Sequence, residues 1–145
     1  INLTRLLEQL VYGLQPVLDQ KGLTCRLAAG DDILLNCDAD KMQRVFDNLL
    51  RNAVNYSYDG TEITIEAEQG EDSVTLKFSN CGGTIPKEKL ERIFEQFYRL
   101  DTGRSSSGTG LGLAIAKQII TLHKGTITAE SGDGVTVFTV TLPVL

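Results

Sequence analysis

Gly108-Thr-Gly-Leu-Gly-Leu113 places glycine at every second position directly before the apolar run Ala114-Ile-Ala-Lys117. Glycine lets the backbone lie close against a ligand, and the first amides of the following helix are unpaired donors suited to phosphate oxygens. The chemistry this pattern supports is phosphate binding by the main chain. It is neither the GxxxxGK[ST] run of a P-loop nor the GxGxxG fingerprint of dinucleotide sites. The preceding Thr102-Gly-Arg-Ser-Ser-Ser107 is small and polar, and reads as loop rather than strand. On these residues alone, a glycine-rich surface loop ahead of a buried helix explains the pattern as well.

A second signal lies sixty residues earlier. Asn48, Asn52 and Asn55 recur at i, i+4 and i+7, within about 60° of one another at the ~100° helical step. They oppose an apolar stripe of Met42, Val45, Phe46, Leu49, Leu50, Ala53 and Val54. Asparagine costs roughly 0.5–0.7 kcal/mol per helical position relative to alanine, so a face meant for water would carry Glu, Lys or Gln. Three amides in a row instead offer neutral oxygens to a ligand or a hydrated ion. Such ligands suit Mg²⁺, which keeps several waters and shares its site with phosphates. A solvated polar face is the competing explanation. Tyr56, at the border of stripe and core, either stacks on a base or packs with its hydroxyl outward.

The elements that must position these groups are legible in outline. Apolar residues at helical spacing run from Leu3 to about Leu18, and Gly22 ends that helix. Leu23 to Leu27 alternates as a strand, and Ile33 to Cys37 is expected to be a second short one. Asp38 and Asp40 are helix caps before a long helix reaching about Ser57. Thr61 to Glu68 and Ser73 to Ser79 each bury alternate residues and form a hairpin about Gly70. The helix after the glycine run extends to Lys124 and is stopped by Gly125. Strands Thr126 to Glu130 and Val135 to Leu142 meet at Gly132-Asp-Gly134. The mixture, without a βαβ rhythm, predicts an α+β fold with helices on one face of a mixed sheet. A mobile loop is expected from about Leu100 to Gly108.

Size and charge narrow the function further. The 145 residues suffice for one domain with a core. A net charge of -5 argues against nucleic-acid binding, which calls for a basic patch. No apolar run approaches the roughly 18 residues of a membrane span, and no signal peptide is expected. Cys25, Cys37 and Cys81 are odd in number and lack metal-ligand spacing, which fits reduced thiols in a cytosolic setting. His123 is the sole histidine, so a multi-histidine metal site or a Ser-His-Asp triad is not expected.

Four segments, in order and spacing, resemble the motifs of bacterial sensor histidine kinases. Asn48-Leu-Leu-Arg-Asn-Ala-Val-Asn-Tyr-Ser57 is similar to their N box, and Asn80-Cys-Gly-Gly-Thr-Ile-Pro86 to their first glycine box. Ile93-Phe-Glu-Gln-Phe-Tyr-Arg99 is similar to the F box, and Gly108 to Leu113 to the second glycine box. The Asn-x-Gly-x-Thr-Ile-Pro variant is similar to that of vancomycin-resistance-type sensors. The resemblance spans nearly the whole chain. It implies a Bergerat-type (GHKL) two-layer sandwich, with a mixed, mostly antiparallel sheet, helices on one face and a mobile ATP lid.

The resemblance also implies roles. Asn52, with Asn48 one turn earlier, would hold Mg²⁺, and Tyr56 would lie over the adenine. Asn80 would read the adenine amine, with Gly82 letting the base approach and Thr84 and Ile85 beside it. Phe94 and Phe97 would anchor the lid, while Arg99 and Arg104 would act with Asn48 in catalysis near the phosphates. Gly108, Thr109, Gly110, Leu111, Gly112 and Leu113 would hold the phosphate end. Three positions depart from the pattern. Asn80 replaces an aspartate, exchanging a charged hydrogen bond for a neutral one worth roughly 1 kcal/mol less, or about five- to tenfold in affinity. Asn55 stands where a Lys or Arg is common, and Thr84 replaces the second glycine of its box. The lid is also a residue or two shorter than usual.

The activity implied is transfer of the γ-phosphoryl of ATP, with Mg²⁺, to a histidine on a separate dimerisation domain in two-component signalling. A related ATPase or serine kinase, or a degenerate nucleotide-binding or interaction module, are the alternatives. His123 corresponds to a structural histidine rather than the acceptor. The acceptor helix is expected upstream of Ile1, and a response regulator is the indirect partner. The resemblance further implies a monomeric isolated domain, a homodimeric parent, and a membrane sensor carrying this domain on its cytosolic side.

Overall fold

A computed structural model of the protein describes residues 1–30, 32–95 and 112–144. Helix α1 (Leu3–Gly13) is capped by Asn2, whose side chain accepts from the Arg5 amide at 3.1 Å, and it buries Leu3 and Leu7. The single helix expected to about Leu18 is divided at Leu14, with α2 covering Gln15–Gln20. Pro16 explains the break: it lacks an N–H and is tolerated only in a first helical turn. The apolar phase survives the break, since Leu14 and Leu18 are both buried. Gly22, at φ +65°, then turns the chain into β1 (Thr24–Ala29).

The strand expected at Ile33 to Cys37 does not enter the sheet. It forms an isolated bridge between Leu34 and Asn2, with the Leu3 amide donating to Ile33 O at 2.8 Å. The alternation itself holds, Ile33 and Leu35 being buried and Leu34 exposed. Only the pairing partner differs: it is the chain entering α1.

Helix α3 (Ala39–Tyr56) starts at Asp38, which accepts from the Lys41 amide at 3.1 Å, and its apolar stripe is wholly buried. Strands β2 (Glu62–Gln69) and β3 (Ser73–Cys81) form the expected hairpin, the Gly70 amide donating to Ser73 O at 2.8 Å. The short helix α4 (Lys87–Leu90) follows, and α5 (Gly112–Leu122) leads into β4 (Thr126–Gly132) and β5 (Val135–Pro143). Asp133 and Gly134, at φ 53° and 77°, make the tight turn between the last two strands. At the end of α5 the left-handed residue is Lys124, at φ 63°, rather than Gly125. Gly125 is required for another reason: a Cβ there would sit 2.4 Å from Thr141 O.

The five strands run in the order β1-β2-β3-β5-β4. Three ladders are antiparallel, and β1 lies parallel to β2 through the α3 crossover. The expected α+β architecture is therefore present, with one βαβ unit that the sequence rhythm did not reveal. One sheet face carries Ile63, Ile65, Val74, Leu76, Phe78, Phe138, Val140 and Leu142, all buried. Phe46 of α3 stacks on Phe78 of β3 at 5.9 Å, fixing the asparagine-bearing helix over the centre of the sheet.

Candidate functional site

Because the apolar stripe of α3 is fixed inward, its amide face is turned to one end of the sheet. There Asn52, Tyr56, Asn80, Gly83, Thr84, Ile85, Pro86, Lys89 and Thr136 enclose a cavity of about 220 Å³. That is below the ~300–1,000 Å³ of pockets that enclose a drug-sized ligand, so it takes one flat heterocycle rather than a whole nucleotide. Its described lining holds one cation, Lys89, and no carboxylate. In a chain with 19 acidic and 14 basic residues, an acid-free cavity suits an anionic ligand.

Asn80 forms the floor. It lies on β3 opposite Thr136 of β5, and both side chains are buried, at 3% and 4% exposure. The Thr136 hydroxyl is 2.9 Å from Ser131 Oγ, which accepts from the Ile85 amide at 2.8 Å. This hydroxyl pair therefore ties β4 and β5 to the loop forming the cavity wall. Asn80 has no such tie: among the described residues, no side-chain hydrogen bond joins it to the protein. A buried amide left unpaired costs about 1–3 kcal/mol, a cost a ligand in the cavity would relieve.

The loop after Asn80 is braced on two sides. The Gly82 amide donates to Gly134 O at 2.9 Å, and the Gly134 amide donates to Thr84 Oγ1 at 3.1 Å. The threonine in place of a second glycine thus anchors the β4–β5 turn. Gly82 itself is buried beneath α3, where a Cβ would stand 2.1 Å from Tyr56 O. Packing against the helix end already demands glycine there, and Gly83 is the glycine that lines the cavity. Lys21 closes the same helix end, its ammonium donating to Val54 O at 2.6 Å and Ser57 O at 3.0 Å.

The remaining expected residues fall into three groups. Asn48 stands away from the cavity lining and donates through Nδ2 to Gly112 O at 3.1 Å, holding the first residue of α5 and leaving its amide oxygen for a cation or water. Asn55 is exposed, and Leu113 is half-buried against the core. Phe94 packs edge-on against Phe138 at 6.1 Å with Lys117 Nζ 5.4 Å from its ring centre, a setting consistent with an anchor. Phe97, Arg99, Arg104, Gly108, Thr109, Gly110 and Leu111, with the expected mobile loop, lie outside the described residues.

Sequence reasoning missed Gly83, Pro86, Lys89 and Thr136. Thr136 could have been found, because it takes the buried phase of β5 alongside Phe138, Val140 and Leu142. His123 is structural in geometry, with Nδ1 2.8 Å from Ile119 O and Nε2 accepting from the Asp38 amide at 3.2 Å. Burial raises the Cys25 and Cys37 thiols, and neither lines the cavity. Among the described residues no cluster of His, Cys, Asp or Glu could hold a metal. A cation here would depend on the amide oxygens of Asn52 and Asn48 and on a ligand's own phosphates, which is the setting that suits Mg²⁺.

The fold and the amide-lined cavity define a class, and comparison bears it out. The profile described as "Histidine kinase-, DNA gyrase B-, and HSP90-like ATPase" matches residues 37–145, and the chain belongs to that family. Within it the chain is similar to the sensor protein VanSC of Enterococcus gallinarum, at 44% identity over 98% of this chain and 40% of that protein. It is also 47% identical to the sensor protein VanS of Enterococcus faecium, over all of this chain and 38% of that one. The chain thus spans about two fifths of these relatives. Among solved structures, the catalytic domain of histidine kinase ThkA aligns with a TM-score of 0.90 at 27% identity, covering 99% of this chain and 93% of that one. No helix among the described residues is long and apolar enough to cross a membrane.

Proposed function

We propose that this chain binds Mg-ATP and presents its γ-phosphoryl to a histidine on a separate dimerisation domain, as the nucleotide half of a two-component sensor kinase. The observation that carries the reading is the buried Asn80 amide, without a hydrogen-bond partner among the described residues, at the floor of a cavity bounded by Tyr56 and Asn52. Asn80 accepts from the adenine amine, Tyr56 covers the ring, and Thr136 and Ile85 shape its edge. Asn52 and Asn48 would hold Mg²⁺, which when bound neutralises phosphate charge and orients the leaving group. Asn48 also fixes the start of α5, whose first amides then face the phosphate end. Transfer of this kind is chiefly positioning and charge stabilisation, and Arg99 and Arg104 supply the cations. No carboxylate lines the described cavity to activate water, which favours transfer over hydrolysis.

The parent is then a homodimeric membrane sensor with this domain, by itself a monomer, in the cytosol and a response regulator as the onward acceptor. A solved complex of histidine kinase ThkA with the response regulator protein TrrA contains a fold similar to this one, with a TM-score of 0.86 at 24% identity. The test is titration with ATP with and without Mg²⁺, followed by mixing with the dimerisation domain and labelled ATP. The expected product is an acid-labile, base-stable phosphoryl group on that partner. Absence of binding at millimolar ATP would overturn the reading.

A further inference from the structure

We infer that the cavity accepts 6-oxopurine nucleotides as well as 6-aminopurine nucleotides, through a half-turn of the Asn80 amide. The inference rests on the nucleotide reading above and concerns the class of base that reading admits. An asparagine side chain carries an acceptor oxygen and a two-proton donor nitrogen on one planar edge. Facing a 6-aminopurine, Oδ1 accepts from the exocyclic amine while Nδ2 donates to N1. Facing a 6-oxopurine, Nδ2 donates to O6 while Oδ1 accepts from N1–H. Both poses pair the amide at two points, the donor and acceptor of one edge meeting the acceptor and donor of the other. A carboxylate at the same place has no proton to give and would set its lone pairs against O6.

The half-turn is available because, among the described residues, no hydrogen bond opposes it. Asn80 is 3% exposed, lines the cavity and, among the described residues, makes no side-chain hydrogen bond. Its cross-strand neighbour Thr136 is paired with Ser131 at 2.9 Å, and Ser131 also takes the Ile85 amide at 2.8 Å. Among the described residues, neither hydroxyl is hydrogen-bonded to the amide. Rotation about the Cβ–Cγ bond of asparagine has broad, roughly two-fold preferences, so neither orientation carries an intrinsic penalty.

Inosine triphosphate is the clean probe, since it differs from ATP only at C6 and N1. Calorimetric titration of this 145-residue chain with each nucleotide, at fixed Mg²⁺, is expected to give dissociation constants within about tenfold of each other. Asn80→Asp is expected to move the ratio towards ATP by about tenfold or more, and Asn80→Ala to weaken both nucleotides alike. Inosine triphosphate binding more than tenfold weaker than ATP to the unaltered chain overturns the inference while leaving the nucleotide reading intact. Failure of both nucleotides to bind overturns both. The comparison on the unaltered chain is decisive even where Asn80→Asp does not fold.

Discussion

Gly82→Ala is expected to damage the domain because of where the new methyl group would stand. Its Cβ would lie 2.1 Å from Tyr56 O and 3.2 Å from the Tyr56 carbonyl carbon, where ordinary contact begins at 3.4 Å. Both partners are backbone, so no side-chain rotation relieves the overlap. Neither segment yields easily, either. The Gly82 amide donates to Gly134 O and the Tyr58 amide to Cys81 O, each at 2.9 Å, while Lys21 grips Val54 O and Ser57 O. Overpacking typically costs 1–3 kcal/mol and more where the surroundings are rigid, so about 2–4 kcal/mol is expected here. For a domain of this size that lowers Tm by about 5–15 °C. Tyr56 and Asn80 flank the overlap, so ATP affinity is expected to fall at least tenfold as well. Gly132→Ala, with nothing within 4 Å of its added Cβ, is the matched control and should stay within about 3 °C of the unaltered chain. Thermal unfolding by circular dichroism and Mg-ATP titration read both effects. A Gly82→Ala domain that melts within 3 °C of the unaltered chain and binds ATP equally well would refute the packing argument.

Lys21→Met keeps the aliphatic stem and removes the charge-assisted cap on α3, and should cost about 1–2 kcal/mol in unfolding free energy; unchanged stability in a denaturant titration would contradict that role. Cys25 offers a pH test, because burial, then Glu62, raises its thiol from 9.0 to about 11. The fold thus favours the protonated thiol, a contribution present below pH 9 and lost as pH rises through 11. At pH 8 its thiolate is about a hundredfold scarcer than that of a free thiol. Alkylation followed by mass spectrometry should therefore be about a hundredfold slower at Cys25 in the native than in the unfolded chain.

How much of this was legible in the sequence depended on which force set each feature. Helix Ala39–Tyr56 and the β2–β3 hairpin follow from periodicity and turn residues, and both came within a residue or two of the structure. The bridge at Leu34 did not, because alternation reports which side chains are buried and is silent on which strand pairs them. The β1–α3–β2 crossover was hidden for the same reason: parallel pairing is decided by tertiary contacts. At the site, Asn52, Tyr56, Asn80, Thr84 and Ile85 are legible from the motifs, and all five line one cavity. Lys89 was not, since a lysine on a four-residue helix carries no pattern. Lys21 lay 33 residues from the carbonyl it caps, a pairing that only the fold creates. The resemblance implies that Gly82 lets the base approach, whereas its packing against Tyr56 O is visible only with the backbone of α3 in place.

The central claim is that an adenine nucleotide seats its base on Asn80 beneath Tyr56, with Mg²⁺ at Asn52. The most direct measurement is titration of the isotope-labelled chain with Mg-ATP, following the side-chain amide resonances of Asn80 and Asn52 and the backbone amides of Gly83, Thr84 and Ile85. The account predicts that these signals shift together with one affinity. The Asn52 shift should depend on Mg²⁺, and in Asn80→Ala the remaining shifts should require a higher concentration of Mg-ATP. Binding that moves none of these amides would contradict it.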